Sequence, residues 1–329
     1  MERTVSNIVS KQHSPRALFF GMQGNFSAPF LTALLDSGIE VAAVVIPASP
    51  LPGTSLPAIQ RRERPRSPRT ILPIANSSLH SSILQTAWAR GLPVWEVQRL
   101  ADTETLGTLA AYRPDVICVA CFSLRIPRPL IDLPRLGCLN AHPSLLPANR
   151  GPVPLFWTFR EGYETTGVTI HLIDEGMDSG DILAQVPVLV PDGISYDALE
   201  LQCIMQGKIL LVHTVWNLYT GRAVRTPQDS AKSTYHPFPT DKDFSIVAEE
   251  WTARHIYNFV RGINSWENPI LLQSGEKIFR VQDAIAYRQN GHRSRPTEAS
   301  SSYGSGTTDA WIHCKVGKVH IKVYKDDQE

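Results

Sequence analysis

Apolar and polar positions along the chain fall into short blocks separated by glycine, proline and charge. Ala17 to Gly21 is an apolar run that ends in glycine. After the turn Met22-Gln23-Gly24-Asn25, the residues Phe30, Leu31, Leu34 and Leu35 recur at helical spacing, and Gly38 supplies a stop. Glu40 to Ile46 is apolar beyond its first residue and predicts a strand buried on both faces. This β-turn-α-β opening predicts a parallel sheet with crossover helices. The pattern goes on with helices over Leu79–Arg90 and Thr103–Tyr112 and strands over Pro93–Val97, Asp115–Cys121 and Gly137–Asn140. Pro152–Arg160 reads as a helix with proline in its first turn. Gly167–Asp174 and Ile182–Leu189 read as an antiparallel or edge pair, and Tyr196–Thr220 as a long amphipathic helix.

Three stretches break the alternation. Pro47 to Pro73 is rich in Pro and Ser and carries Arg61, Arg62, Arg64, Arg66 and Arg69. It reads as a solvated loop, with a phosphate-contacting loop as the sharper alternative. The GMQG turn lacks the dinucleotide fingerprint GxGxxG, although its backbone N–H groups could face an anion. Thr226 to Lys242 reads as a linker. Gln289 to Thr308 is a Ser/Gly/Arg-rich low-complexity insert that reads as disordered or as a long loop. Beyond the linker, a helix over Ala248–Ile263 precedes short strands over Ile270–Gln273, Lys277–Ala286, Ala310–Lys315 and Val319–Tyr324, which predict a small β-barrel. The expected organisation is an α/β domain over 15–225, a linker over 226–243 and a smaller C-terminal domain over 244–329.

Composition constrains this picture only loosely. The 329 residues are 43% hydrophobic and 19% charged with a net charge of +1, enough for a sizeable core and neutral on a nucleic-acid partner. The five cysteines, Cys118, Cys121, Cys138, Cys203 and Cys314, lie mostly in apolar runs, so reduced thiols in a cytoplasmic protein are expected. The Cys118–Cys121 pair lacks the second ligand pair a zinc site would need. No secretory h-region and no run of roughly 18 apolar residues is present, so no membrane span is expected.

The chemistry concentrates between Leu136 and Gln185. Asn140 and His142 end an apolar run two residues apart, so on a strand they share a side. Asp178 lies in a Gly-flanked loop after a second apolar run. An amide that can donate to an oxyanion, an imidazole that can move a proton and a carboxylate that can hold that imidazole suit attack of an amine on a carbonyl. A metal set drawn from His142, His171, Asp174, Asp178 and Asp181 lacks a known ligand spacing, and no metal is expected.

Four submotifs stand in order here: Asn140-Ala-His142-Pro-Ser144-Leu145-Leu146-Pro147, Gly151, Thr166-Gly-Val-Thr-Ile170 and Asp178-Ser-Gly-Asp181. The stretch closely resembles the 10-formyltetrahydrofolate-dependent formyltransferases. The resemblance implies a doubly wound, mostly parallel, Rossmann-like sheet that binds folate and amine in one cleft, with a smaller C-terminal β-barrel domain. It assigns Asn140 to polarising the formyl carbonyl and His142 to stabilising the tetrahedral intermediate or shuttling its proton. It assigns Asp178 to orienting His142 and helping the proton relay. The co-substrate it implies is 10-formyltetrahydrofolate. Its pocket is matched by Ser123, Leu124, Arg125 and Ile126, by Ser144, Leu145, Leu146 and Pro147, and by the closing loop Asp174, Glu175 and Gly176. Trp251, Phe259, Arg261, Asn264 and Trp266 resemble the C-terminal domain of methionyl-tRNA formyltransferases, which helps hold the tRNA, and the arginine cluster stands where that family has a basic insertion. The implied acceptor is initiator methionyl-tRNA, contacted by Arg61, Arg62, Arg64, Arg66, Arg69 and the C-terminal domain. Pro152 to Trp157 and His171 to Glu175 look more like sugar-amine formyltransferases and formylating domains of peptide synthetases. A nucleotide-linked amino sugar or another metabolite amine is therefore the alternative acceptor. A catalytically silent folate- or RNA-binding protein is a further alternative, against which the intact Asn140, His142 and Asp178 count.

Overall fold

The structure is a computed structural model that describes residues 14–49, 56–65, 82–289, 292–293 and 307–324. Its contacts divide the chain into two compact units, one of 1–140 with 211–223 and one of 141–210 with 224–329. The segment 226–243 and the C-terminal residues fall in the same unit as 141–210.

The first unit contains β1 (Arg16–Gly21), α1 (Ser27–Asp36), β2 (Glu40–Pro47), β3 (Ile59–Arg61), α2 (Ile83–Ala89), β4 (Val94–Val97), α3 (Thr103–Ala110), β5 (Val116–Ala120), α4 (Arg128–Ile131) and the first part of β6 (Cys138–His142). The strand order is β3-β4-β2-β1-β5-β6. All neighbours pair in parallel except β3, which runs antiparallel to β4. Every residue of β5 is buried, as an apolar run without alternation requires when helices cover both faces. Each such Val or Ile contributes roughly 1.5–3 kcal/mol through burial.

The strand order reverses between β1 and β5, and in open α/β sheets ligands bind beyond the carboxyl ends at such a reversal. Close approach there is secured by Gly21, since a Cβ on it would lie 2.8 Å from Ser27 Cβ and from Ile83 Cδ1. Ser27 uses that closeness: its hydroxyl donates to the Ala120 carbonyl at 2.6 Å and accepts the Met22 N–H at 3.0 Å.

The loop expected over Pro47–Pro73 contains β3, paired to β4 through Ile59, Gln60 and Arg61. Only one of those residues is apolar, so the hydrophobic pattern carried no trace of it. The part of that expectation beyond 65, with Arg66 and Arg69, lies outside the described residues.

The second unit takes in the end of β6, then α5 (Pro154–Arg160), β7 (Thr165–Leu172), β8 (Ile182–Leu189) and the start of α6 (Tyr196–Tyr219). The order here is β6-β7-β8, with β7 and β8 antiparallel as expected. After 224 come two 3-10 turns, Ser230–Lys232 and Asp241–Phe244, then β9 (Ser245–Val247), α7 (Ala253–Ile263), β10 (Ile270–Ser274), β11 (Lys277–Gln289), β12 (His292–Arg293), β13 (Thr307–His313) and β14 (Lys318–Tyr324). The expected barrel is a sheet whose path among the described residues runs β13-β14-β11-β10-β9, with β12 paired to β11.

α5 and α7 share an aromatic core. The Phe156 ring lies 5.0 Å from Trp266, 5.1 Å from Phe244 and 6.0 Å from Phe259. α7 begins five residues later than the pattern predicted because Thr252 caps it, its hydroxyl accepting the His255 N–H at 3.2 Å. The C-terminal residues singled out in the sequence hold this helix in place. Trp251 stacks on His255 at 3.9 Å, Phe259 is fully buried, and Arg261 and Asn264 both reach Asp283.

Candidate active site

β6 carries two of the expected residues, because it runs two positions past the predicted strand and ends on His142. Strand alternation gives Asn140 and His142 the same side. Asn140 is half-buried and is the last residue of the first unit. The groups gathered around His142 belong to the second.

His142 is 4% exposed. Its Nε2 lies 2.9 Å from the Asn149 carbonyl oxygen. A carbonyl can only accept, so Nε2 carries the hydrogen and the basic nitrogen of the neutral ring is Nδ1. That nitrogen faces Asp178 Oδ1 at 3.8 Å. The Asn149 backbone thus holds one ring nitrogen, and Asp178 stands at the other. A gap of 3.8 Å exceeds a direct hydrogen bond, so proton exchange between the two needs a small closure or a bridging water.

Asp178 also faces a second imidazole, which the sequence reading did not count among the catalytic residues. His171 Nε2 lies 3.7 Å from Asp178 Oδ1, and its Nδ1–H donates to the Leu172 carbonyl at 2.8 Å. The same logic leaves His171 Nε2 as the bare nitrogen. Burial pushes His171 down to about 4, the charge of His142 acts in the same direction, and Asp178 acts against both. His171 is therefore a neutral neighbour at physiological pH, and Asp178 is the anion between two rings whose centroids are 6.2 Å apart. Among the described residues no group of three or more His, Cys, Asp and Glu side chains is arranged to hold a metal ion.

Two unusual backbone positions shape the site. Asn149 and Asp178 adopt φ of 56° and 51°, in the left-handed region that side chains disfavour. Both are over-determined by the segment expected to be a linker. The Asn149 N–H donates to Thr234 Oγ1 at 2.8 Å, the Arg150 N–H donates to the Thr234 carbonyl at 2.9 Å, and the His236 N–H donates to the Arg150 carbonyl at 3.0 Å. Gly151 has φ 116° and no room for a Cβ, which would lie 2.0 Å from the His236 carbonyl oxygen. Its N–H donates to Asp178 Oδ2 at 2.9 Å. Residues 226–236 thus form a strap across the loop that carries Asn149. The sequence hid this because the strap works through backbone and short polar side chains. One further group stands out: Asn149 Oδ1 is buried and has no hydrogen-bond partner.

The residues expected to line a folate pocket fall in three places. Ser123, Leu124, Arg125 and Ile126 follow β5, at the carboxyl end of the sheet in the first unit. Ser144 is buried, its hydroxyl donating to the Ala148 carbonyl at 2.8 Å. Leu145, Leu146 and Pro147 continue that turn, and Thr169 ties it to β7 by donating to the Ser144 carbonyl at 2.7 Å. Asp174, Glu175 and Gly176 form an exposed loop in which Asp174 Oδ1 accepts from the Gly176 N–H and from Ser179 Oγ.

Of the arginines in the basic stretch, Arg62 is committed to Glu96 at 2.7 Å and Arg61 lies 3.4 Å from Glu63. Arg64 is exposed. The cysteines are free thiols; Cys118 and Cys138 are buried, and burial pushes the Cys138 thiol up to about 12. No helix among the described residues is long and apolar enough to cross a membrane.

Known proteins share both the sequence and the fold. Residues 16–215 match the formyl transferase family. The chain is 34% identical over 264 residues to methionyl-tRNA formyltransferase of Moorella thermoacetica, covering 80% of this chain and 78% of that protein. It is 35% identical over 254 residues to the enzyme of the same name from Synechococcus sp. (strain JA-2-3B'a(2-13)), covering 76% and 71%. Among solved structures it resembles WlaRD, a sugar 3N-formyl transferase, with a TM-score of 0.61 at 14% identity over 96% of this chain and all of that one. The N-formyltransferase of Helicobacter canadensis gives 0.60 at 14% identity over 95% and 100%. At these identities the structures show a common fold. The sequence match over most of the chain goes further, and the chain belongs to the formyl transferase family, as a formyltransferase enzyme.

Proposed function

We propose that the enzyme moves the formyl group of 10-formyltetrahydrofolate to the methionyl amine of initiator methionyl-tRNA. The amine nitrogen attacks the formyl carbon, a carbon–nitrogen bond forms, and the carbonyl oxygen becomes an oxyanion. Asn140 donates an N–H to that oxygen, in the manner of an oxyanion hole. The amine must lose a proton and the folate nitrogen must gain one as its bond to carbon breaks. His142 Nδ1 carries that proton, because Nε2 is already occupied by the Asn149 carbonyl. Asp178 stabilises the imidazolium while it exists. The buried Asn149 Oδ1 is an acceptor for a donor that bound substrate brings.

The observation that carries the reading is His142 Nδ1, a buried base nitrogen at the end of β6 that faces a carboxylate at 3.8 Å in a chain of this family. Ser123–Ile126, Ser144–Pro147 and Asp174–Gly176 take the folate in this proposal. Arg61, Arg64, Arg66, Arg69 and the C-terminal sheet contact the tRNA. The assay supplies 10-formyltetrahydrofolate with charged initiator tRNA and, in parallel, with nucleotide-linked amino sugars. Formyl-methionyl-tRNA as the efficient product supports the assignment.

A nucleotide-linked amino sugar is the second reading. It is favoured by Arg62, which is paired to Glu96 and so withdrawn from a phosphate-contacting role. Formylated sugar with inert charged tRNA overturns the first reading in favour of the second.

A further inference from the structure

We propose that Gln228 is a positioning residue for the reaction: its side-chain amide closes a ring of hydrogen bonds that holds the Asp178 carboxylate at the two imidazoles. The inference deepens the formyl-transfer reading and rests on it for its kinetic consequence.

Gln228 lies in the segment that the hydrophobic pattern read as a linker. Its Nε2 donates to the Asp178 carbonyl at 2.8 Å and to the Gly180 carbonyl at 2.7 Å. Its Oε1 accepts from Arg150 Nε at 3.2 Å and Nη2 at 2.7 Å. A primary amide has two N–H donors and an oxygen with two lone pairs, so every capacity of this one is used. Its orientation is determined as well, since carbonyls only accept and a guanidinium only donates.

The ring then closes through the backbone. Arg150 precedes Gly151, whose N–H donates to Asp178 Oδ2 at 2.9 Å. Asp178 is gripped twice, on its main chain by Gln228 and on its carboxylate by Gly151, and Arg150 joins the two grips. The support matters because a φ of 51° lies in the left-handed region, which an aspartate tolerates better than most side chains but which still costs free energy. The Gly180 side of the grip has no slack, since a Cβ there would lie 1.9 Å from the Leu172 carbonyl oxygen. Gln228 in turn stands two residues after a rigid point, the reciprocal bonds between Ile182 and Thr226 at 2.8 and 2.9 Å. A side chain so committed sets where Oδ1 sits relative to His142 Nδ1 and His171 Nε2. In catalysis a misplacement of about 1 Å can cost on the order of 100-fold in rate.

The test compares Gln228→Glu, Gln228→Met and Arg150→Met. Gln228→Glu keeps length and the Arg150 contact but turns the donor atom into an acceptor facing two carbonyls. Gln228→Met keeps shape and loses all four bonds. The readouts are kcat, KM for the formyl donor and for the amine, the unfolding temperature, and the ring 15N shifts of His142 and His171 at pH 7. Expected are a kcat lower by roughly 10- to 100-fold in both Gln228 variants, a donor KM within about threefold of the parent, and displaced ring shifts. The pair Gln228→Met with Arg150→Met should be no slower than the slower single variant within about twofold, as members of one ring are not additive. A folded Gln228→Glu with kcat within about twofold of the parent and unmoved ring shifts overturns the proposal. So does a variant that only unfolds at a lower temperature while its folded fraction turns over normally. If Gln228→Met does not fold, Gln228→Glu and Arg150→Met decide by the same readouts. If the parent enzyme formylates no amine, the functional reading fails by itself, and the ring shifts still judge Gln228.

Discussion

Replacing Asp178 by asparagine isolates the charge at the centre of the site. The amide is nearly isosteric, and its oxygen can still accept the Gly151 N–H that Oδ2 accepts now at 2.9 Å. What disappears is the anion 3.8 Å from His142 Nδ1, on a side chain only 12% exposed. At an effective dielectric constant of about 20, unit charges at that separation attract by about 4 kcal/mol. If the imidazolium forms only on the way to the tetrahedral intermediate, that attraction is a transition-state interaction, and its loss lowers kcat by roughly 1,000-fold. The asparagine N–H adds a second penalty, since it can donate to the bare Nδ1 and favour the neutral ring. The assay is single-turnover formyl transfer at saturating donor, with folate binding and thermal unfolding measured on the same preparation. Turnover within about tenfold of the parent, in a folded enzyme that binds folate normally, refutes the assignment of that charge to the reaction.

The remaining predictions follow from the same contacts. His171 is held neutral and well below the unfolded value, so the unfolded chain binds the extra proton between about pH 6.5 and 4, and stability falls as pH drops through that window. The full effect is roughly 3 kcal/mol, and His171→Gln should flatten the acid limb of unfolding free energy against pH. An unchanged acid limb would assign the pH dependence elsewhere. Gly262→Ala drives a Cβ to 2.3 Å from Phe159 Cδ1 in the α5–α7 core, and urea unfolding should show a loss of about 1–3 kcal/mol. Gly151→Ala should reduce kcat far more than folate affinity, because the clash with the His236 carbonyl dislodges both the strap and the N–H donor to Asp178; equal losses in both would argue for global damage.

The elements legible in the sequence were those with a strong hydrophobic period. β1, β2, β5 and α6 came out within a few residues because their burial is continuous or strictly helical. β3 and β9 did not, being three residues each, too short for a hydrophobic period to show. His142 and Asp178 were legible as residue types, and the motif order carried them. Their geometry was not, since it rests on a main-chain carbonyl at Asn149 and on two left-handed backbone positions, which no side-chain pattern encodes. The strap shows the limit most clearly. Pro, Ser and Lys between 226 and 242 signal a segment without a core of its own, which is true, yet Gln228 and Thr234 bond the loops that carry Asp178 and Asn149.

The central claim is that formyl transfer runs through the His142–Asp178 pair. It is tested most directly by following labelled formyl from 10-formyltetrahydrofolate to an amine acceptor with the parent enzyme and with His142→Ala, each shown to be folded and to bind folate. The account predicts label on the amine with the parent and a rate lower by roughly 100- to 10,000-fold with the variant. A variant that transfers label at a rate close to that of the parent would contradict it.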